Sequence, residues 1–158
     1  MDNLYGSHFT KRFHTRSTIP SQTVGEHTFG MFLILYAEHP NPSLNLIKAI
    51  TLHDLHEFHF GDVPSYIKIK YPDIEIAENN SITQFYEVND IEEINLTIQE
   101  KLWLKYLDKA EICFYLNHIG LTSNEQKLIY KDAYEKATEL KEQLKTFGFF
   151  KDPEETVH

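Results

Sequence analysis

A single cysteine, Cys113, in 158 residues excludes an intramolecular disulfide and any zinc or iron–sulfur site built from several thiolates. Glycine and proline number six each and thin out after Pro72, which argues against the turn-rich pattern of an all-β domain and favours helices. Basic residues are scarce: 15 Lys and Arg against 24 Asp and Glu leave a formal charge of −9. That balance is the opposite of the basic stripe a polymeric nucleic acid requires, although a small phosphorylated ligand needs only a few local cations or a metal. No apolar run approaches the about 18 residues of a membrane helix. Met1-Asp2-Asn3-Leu4 lacks the basic and apolar regions of a secretory signal, so the expected location is cytoplasmic. What is abundant is core material, with 41% hydrophobic and 13% aromatic residues. No repeat, low-complexity tract or long linker divides the chain. The expectation is one all-α domain over residues 1–158 with about six helices.

Residues 1–20 carry Lys11, Arg12 and Arg16 with His8 and His14, a local excess of basic character. Thr23-Val24-Gly25-Glu26 fits a capping box, and the apolar stretch behind it predicts a largely buried helix over 22–38. After the break at Pro40-Asn41-Pro42, a second helix is expected over 43–57, with Leu44, Ile47, Ile50 and Leu55 as its apolar positions. Gly61-Asp62-Val63-Pro64 reads as a turn, with Pro64 in the first turn of a short helix through Lys68. Residues 73–88 are weakly helical because of Asn79-Asn80-Ser81, and Asp90-Ile91-Glu92-Glu93 starts a long helix that stops at Gly120. The last helix is capped by Thr122–Gln126 and runs to about Thr146, with Leu128, Ala133, Ala137, Leu140 and Leu144 as its apolar side. The polar tail 151–158 is expected to fray.

Ionisable residues interrupt the most apolar of these segments. His27 opens one, His53-Asp54 follows Ala49-Ile50-Thr51-Leu52, and Asp108 and Glu111 lie within Trp103–Tyr115. Buried charge is costly unless it is paired or bound to metal. Any one such histidine is more often a core residue bonded to a carbonyl. The conjunction of His27, His53-Asp54 and Asp108 on separate apolar helices points instead to one divalent transition ion, Mn²⁺, Fe²⁺, Co²⁺ or Zn²⁺, held between helices.

These residues resemble the H…HD…D pattern of the HD-domain phosphohydrolase superfamily, and more nearly its YfbR-type 5′-deoxynucleotidase branch. The likeness rests on Arg12-Phe13 placed 15 residues before His27, on Val24-Gly25-Glu26-His27-Thr28, and on His53-Asp54-Leu55-His56-Glu57 running into Gly61-Asp62-Val63-Pro64-Ser65-Tyr66-Ile67-Lys68. Leu107-Asp108-Lys109-Ala110 is a looser match, and the likeness spans roughly residues 10–118. It implies a compact helical bundle holding one divalent ion through His27, His53, Asp54 and Asp108, with a second, substrate-associated ion such as Mg²⁺ as an addition. It also implies that Glu57 and Asp54 are catalytic, that Asp62 contacts substrate, that Arg12 orients the phosphate and that Phe13 meets the nucleoside. Phe13 stands where that branch has Trp, so the indole N–H donor is lost while a stacking ring remains. Lys68 is a further candidate cation for the substrate, and the resemblance implies that residues 1–20 form a substrate-contacting segment.

The function implied is release of phosphate from a deoxynucleoside monophosphate. The alternative is release of triphosphate from a dNTP, since small phage dATP triphosphohydrolases resemble the same branch. A second class, a non-catalytic helical interaction domain, would carry no stoichiometric metal. On a regular helix Glu57 would share a face with His53, four residues earlier. His56 and His59 read as surface or supporting residues. Phe147, Phe149 and Phe150 could mediate homo-oligomerisation or pack back on the core.

Overall fold

The computed structural model describes residues 2–61, 63, 65–148 and 150. The described residues are predominantly helical, as the glycine and proline distribution predicts. In chain order they form α1 (Asp2–Ser7), β1 (Lys11–Arg12), β2 (Gln22–Thr23), α2 (Val24–Glu38), α3 (Leu44–Leu52), α4 (Glu57–Phe60), α5 (Ser65–Lys70), α6 (Pro72–Val88), α7 (Ile98–Ile119) and α8 (Asn124–Lys145). They divide into two compact units. One comprises residues 1–26 and 51–94, the other residues 27–50 and 95–158. Asp62, predicted to contact substrate, Pro64, placed in the first turn of the short helix, Phe149 and the tail 151–158 lie outside the described residues.

In the first unit the two-residue strands β1 and β2 pair antiparallel, Lys11 opposite Thr23 and Arg12 opposite Gln22. This small ladder lies within the N-terminal segment and fixes its exit into α2. Thr23 caps that helix: its Oγ1 accepts from Glu26 N at 3.1 Å, and Glu26 Oε2 accepts from Thr23 N at 2.7 Å. Val24, Leu55 and Phe85 form the core, with Leu4, Leu52, Tyr86 and Ile91 packed against them.

The second helix does not run to residue 57. It ends at Leu52, and the chain turns through residues 53–56 before α4 begins at Glu57. Leu55 N, Glu57 N and Phe58 N donate to the carbonyls of Leu52, Asp54 and Leu55, each three residues back. A chain bonded in this way turns with about three residues rather than 3.6, so the four-residue spacing of His53 and Glu57 no longer aligns them on one face. The long helix likewise starts later than Asp90. Thr97 and Glu100 form a capping box at Ile98, leaving 91–97 outside any helix. Such a cap contributes about 1 kcal/mol. The weakly patterned stretch 73–88 is fully helical, with Glu78 and Phe85 buried.

The second unit is built on α7. Trp103, Tyr106, Leu107 and Ala110 form one face of it and are buried against Ala137, Leu140 and Leu144 of α8 and against Met31, Ile34 and Leu35 of α2. Phe150 packs back on Trp103, with ring centroids 5.0 Å apart. Gly120 ends α7 with φ +88°, and the Ser123–Gln126 capping box starts α8 as predicted. Three apolar expectations fail. Leu44 and Leu128 are exposed, and Phe29, Leu33 and Tyr36 form an exposed stripe on α2, so that helix is buried on one side only. Spacings of three and four residues place these three side chains together, opposite Met31, Ile34 and Leu35.

Glu38 accepts from Tyr106 Oη at 2.7 Å and Lys141 Nζ at 2.8 Å, joining α2 to α7 and α8. Burial, and next the bond to Glu38, push the Tyr106 phenol far above its usual range. A cleft of about 400 Å³ beside them is lined by Tyr106, Cys113, Tyr130, Tyr134 and Lys141 and contains none of the predicted site residues. Desolvation, reinforced by Glu111, pushes the Cys113 thiol up to about 11. The unfolded thiol ionises near pH 8.5, so the folded form holds its proton longer. The stability this contributes is complete below about pH 8.5 and is lost as pH rises toward about 11. At about pH 8.5, iodoacetamide should therefore alkylate the lone cysteine of the folded chain far more slowly than that of the urea-unfolded chain. Equal rates would contradict the assignment.

Candidate metal centre

In the second unit, His27 is wholly buried in the first turns of α2. Its Nδ1 lies 2.5 Å from Glu111 Oε2, and its Nε2 lies 3.4 Å from Asp108 Oδ1. Asp108 and Glu111 are three residues apart on α7 and so share a face. The other Asp108 oxygen accepts from Lys109 Nζ at 2.9 Å.

The first unit holds a similar pair. His53 Nε2 lies 3.1 Å from Asp54 Oδ1, and Asp54 Oδ2 lies 3.5 Å from Arg12 Nε. Arg12 is brought there by the β1–β2 ladder and is almost wholly buried. Both units thus contain a His–Asp pair whose second carboxylate oxygen faces a cation. Phe13, next in the chain, has φ +59°, a left-handed conformation that a bulky residue seldom adopts. The Arg12 guanidinium lies 5.7 Å from the centre of its ring.

Glu57, the first residue of α4, is 8% exposed. Its carboxylate is thus withdrawn from solvent, although not through the helical alignment with His53 that the spacing suggested. Lys68 Nζ donates to Glu78 Oε1 at 2.6 Å, and His56 Nε2 lies 3.6 Å from the same oxygen. The structure thus pairs Lys68 with a buried carboxylate, and buries His56, which the sequence placed at the surface or in a supporting role.

The donor spacings suit a metal. Two atoms each about 2.1 Å from one transition ion lie about 3.0–3.4 Å apart, for octahedral and tetrahedral angles respectively. Both His–Asp pairs fall in this range, at 3.1 and 3.4 Å. An imidazole and a carboxylate from each pair are the donor types that borderline divalent ions take. Glu111 stands out in the sequence as a carboxylate in an apolar segment without a role of its own, and no sequence signal singles out Glu78 or Gly30. Glu111 was legible in one respect: it follows Asp108 at helical spacing in an apolar context.

Residues 7–112 match the family model described as HD domain. No curated protein and no solved structure matches the chain. No helix among the described residues is long and apolar enough to cross a membrane.

Proposed function

The chain belongs to the HD-domain family, whose members bind divalent metals and are generally metal-dependent phosphohydrolases, and from that premise we propose that it hydrolyses deoxyribonucleotides as a 5′-deoxynucleotidase. The observation carrying this reading is the pairing of Arg12 with Asp54, with the ring of Phe13 adjoining. A guanidinium suits phosphate oxygens, and a neighbouring aromatic ring suits a base or sugar.

His27, His53, Asp54 and Asp108 are the proposed ligands of one divalent ion. When bound, that ion supplies a Lewis acid and an activated water. In the hydrolysis, the water oxygen forms the new bond to phosphorus, the bond from phosphorus to the 5′ oxygen breaks, and that oxygen takes up a proton. Glu57, a carboxylate drawn out of solvent one residue beyond the turn that carries His53 and Asp54, is the proposed proton relay. Arg12 holds Asp54 in the free protein and shares its charge with the phosphate when substrate arrives. Asp62 remains a proposed substrate contact. Lys68 would have to leave Glu78 to reach a phosphate, so its proposed contribution is secondary.

One panel tests this reading: all dNMPs, NMPs and dNTPs with Mn²⁺, Co²⁺, Zn²⁺ and Mg²⁺, scored for phosphate and triphosphate release. Phosphate release from dNMPs is expected. Triphosphate release from dNTPs would replace the monophosphate reading, and no turnover of any nucleotide would overturn both. Glu57→Ala should keep its metal content and lose about 10²–10⁴-fold in kcat.

A further inference from the structure

Glu111 is a buried carboxylate that the proposed ligand set does not use, and it lies against the deepest of those ligands. We infer that Glu111 is a positioning residue that fixes the tautomer of His27, and that Gly30 is the gap in α2 that admits it. The inference rests on the reading of His27 as a metal ligand.

A neutral imidazole has one donor nitrogen and one acceptor nitrogen. With Glu111 Oε2 2.5 Å from Nδ1, the proton belongs on Nδ1. The opposite tautomer would set a nitrogen lone pair against a carboxylate oxygen in a site closed to water. The choice has a consequence on the far side of the ring. Nε2 then presents its lone pair to Asp108 Oδ1, 3.4 Å away, so two acceptors face each other at ligand spacing. That juxtaposition is favourable with a cation to share. A carboxylate behind a ligating imidazole also raises its basicity and holds the ring in orientation.

Gly30 is the independent observation. It lies three residues after His27, on the same side of α2. A methyl group there would lie 2.7 Å from Glu111 Cγ and 2.8 Å from Oε1, inside any tolerable contact. Glycine within a helix costs about 1 kcal/mol relative to alanine. Here the missing side chain leaves room for the Glu111 carboxylate beside the ring.

The test uses full-length protein labelled with ¹⁵N-histidine and freed of metal. Long-range ¹H–¹⁵N correlation reads each ring's tautomer, and His27→Gln identifies the signal among the nine histidines. Wild type should show His27 carrying a proton on Nδ1, toward Glu111. Glu111→Leu and Gly30→Ala should lose that preference and raise the Co²⁺ dissociation constant about 10–100-fold. Glu111→Gln, whose amide oxygen can still accept, should recover the tautomer and most of the affinity, which a merely space-filling role would not distinguish. A neutral Nε2–H form in wild type overturns the inference, as do Leu and Ala variants with unchanged tautomer and affinity. Wild type that binds no Co²⁺ overturns the ligand reading instead, and the tautomer spectrum still decides the role of Glu111.

Discussion

Asp54→Ala should abolish turnover, with kcat/KM falling at least about 10³-fold, while the chain stays folded. Asp54 lies between His53 and Arg12, one oxygen toward each. Removing it deletes a proposed ligand and leaves the almost wholly buried guanidinium of Arg12 without that counter-charge. A buried charge deprived of its partner is expensive, so loss of the site is joined by a stability penalty. Asp54→Asn separates loss of charge from loss of side-chain volume. It keeps the side chain's shape but removes the charge, so it should lose metal as the alanine variant does. Metal content by elemental analysis and phosphate release on the best nucleotide of the panel are the measurements. Full activity in the Asp54→Ala protein would sink the site assignment.

The largest effect on stability is expected at Trp103, which is 1% exposed and wedged among His39, Tyr106 and Phe150. Trp103→Ala should cost about 3–5 kcal/mol, a large share of the about 5–15 kcal/mol that holds a domain together. At about 2–4 °C per kcal/mol for a chain of this size, Tm should fall by roughly 10 °C. Phenylalanine should behave differently. The indole Nε1 is buried with no hydrogen-bond partner among the described residues. An unmet donor of this kind costs about 1–3 kcal/mol. Trp103→Phe removes it while keeping an aromatic ring, so much of the lost packing is offset, and the change should stay within about 1 kcal/mol. A phenylalanine variant as unstable as the alanine variant would show that the indole N–H carries no penalty.

How far the sequence could be read depended on whether a signal was local. The capping boxes at Thr23 and Ser123 marked two helix starts correctly, because side chain and amide are three residues apart in the chain. The same signature at Thr97 sets the start of α7, whereas the acidic cluster at Asp90 is a weaker start signal because it leaves the amides unbonded. The end of α3 at Leu52 had no local marker, since Leu52-His53-Asp54-Leu55 suits a helix as well as a turn. The His–Asp pattern could be read as chemistry because histidine and aspartate are costly in apolar segments. Glu111 and Gly30 could not be assigned, because their roles depend on a contact between α2 and α7, 81 residues apart in the chain. Leu128 and Leu33 were misread for a related reason: periodicity reports how wide an apolar face is, and neighbouring helices decide how much of it they cover.

Phe13 marks where two kinds of selection would diverge. Its left-handed backbone, φ +59°, costs about 1–2 kcal/mol that glycine would not incur. A library screened only for heat tolerance should therefore enrich glycine or asparagine at this position, while one screened for nucleotide turnover should retain the aromatic ring. The residues recovered from the two screens would report separately on backbone comfort and on substrate contact, without a ligand-bound structure.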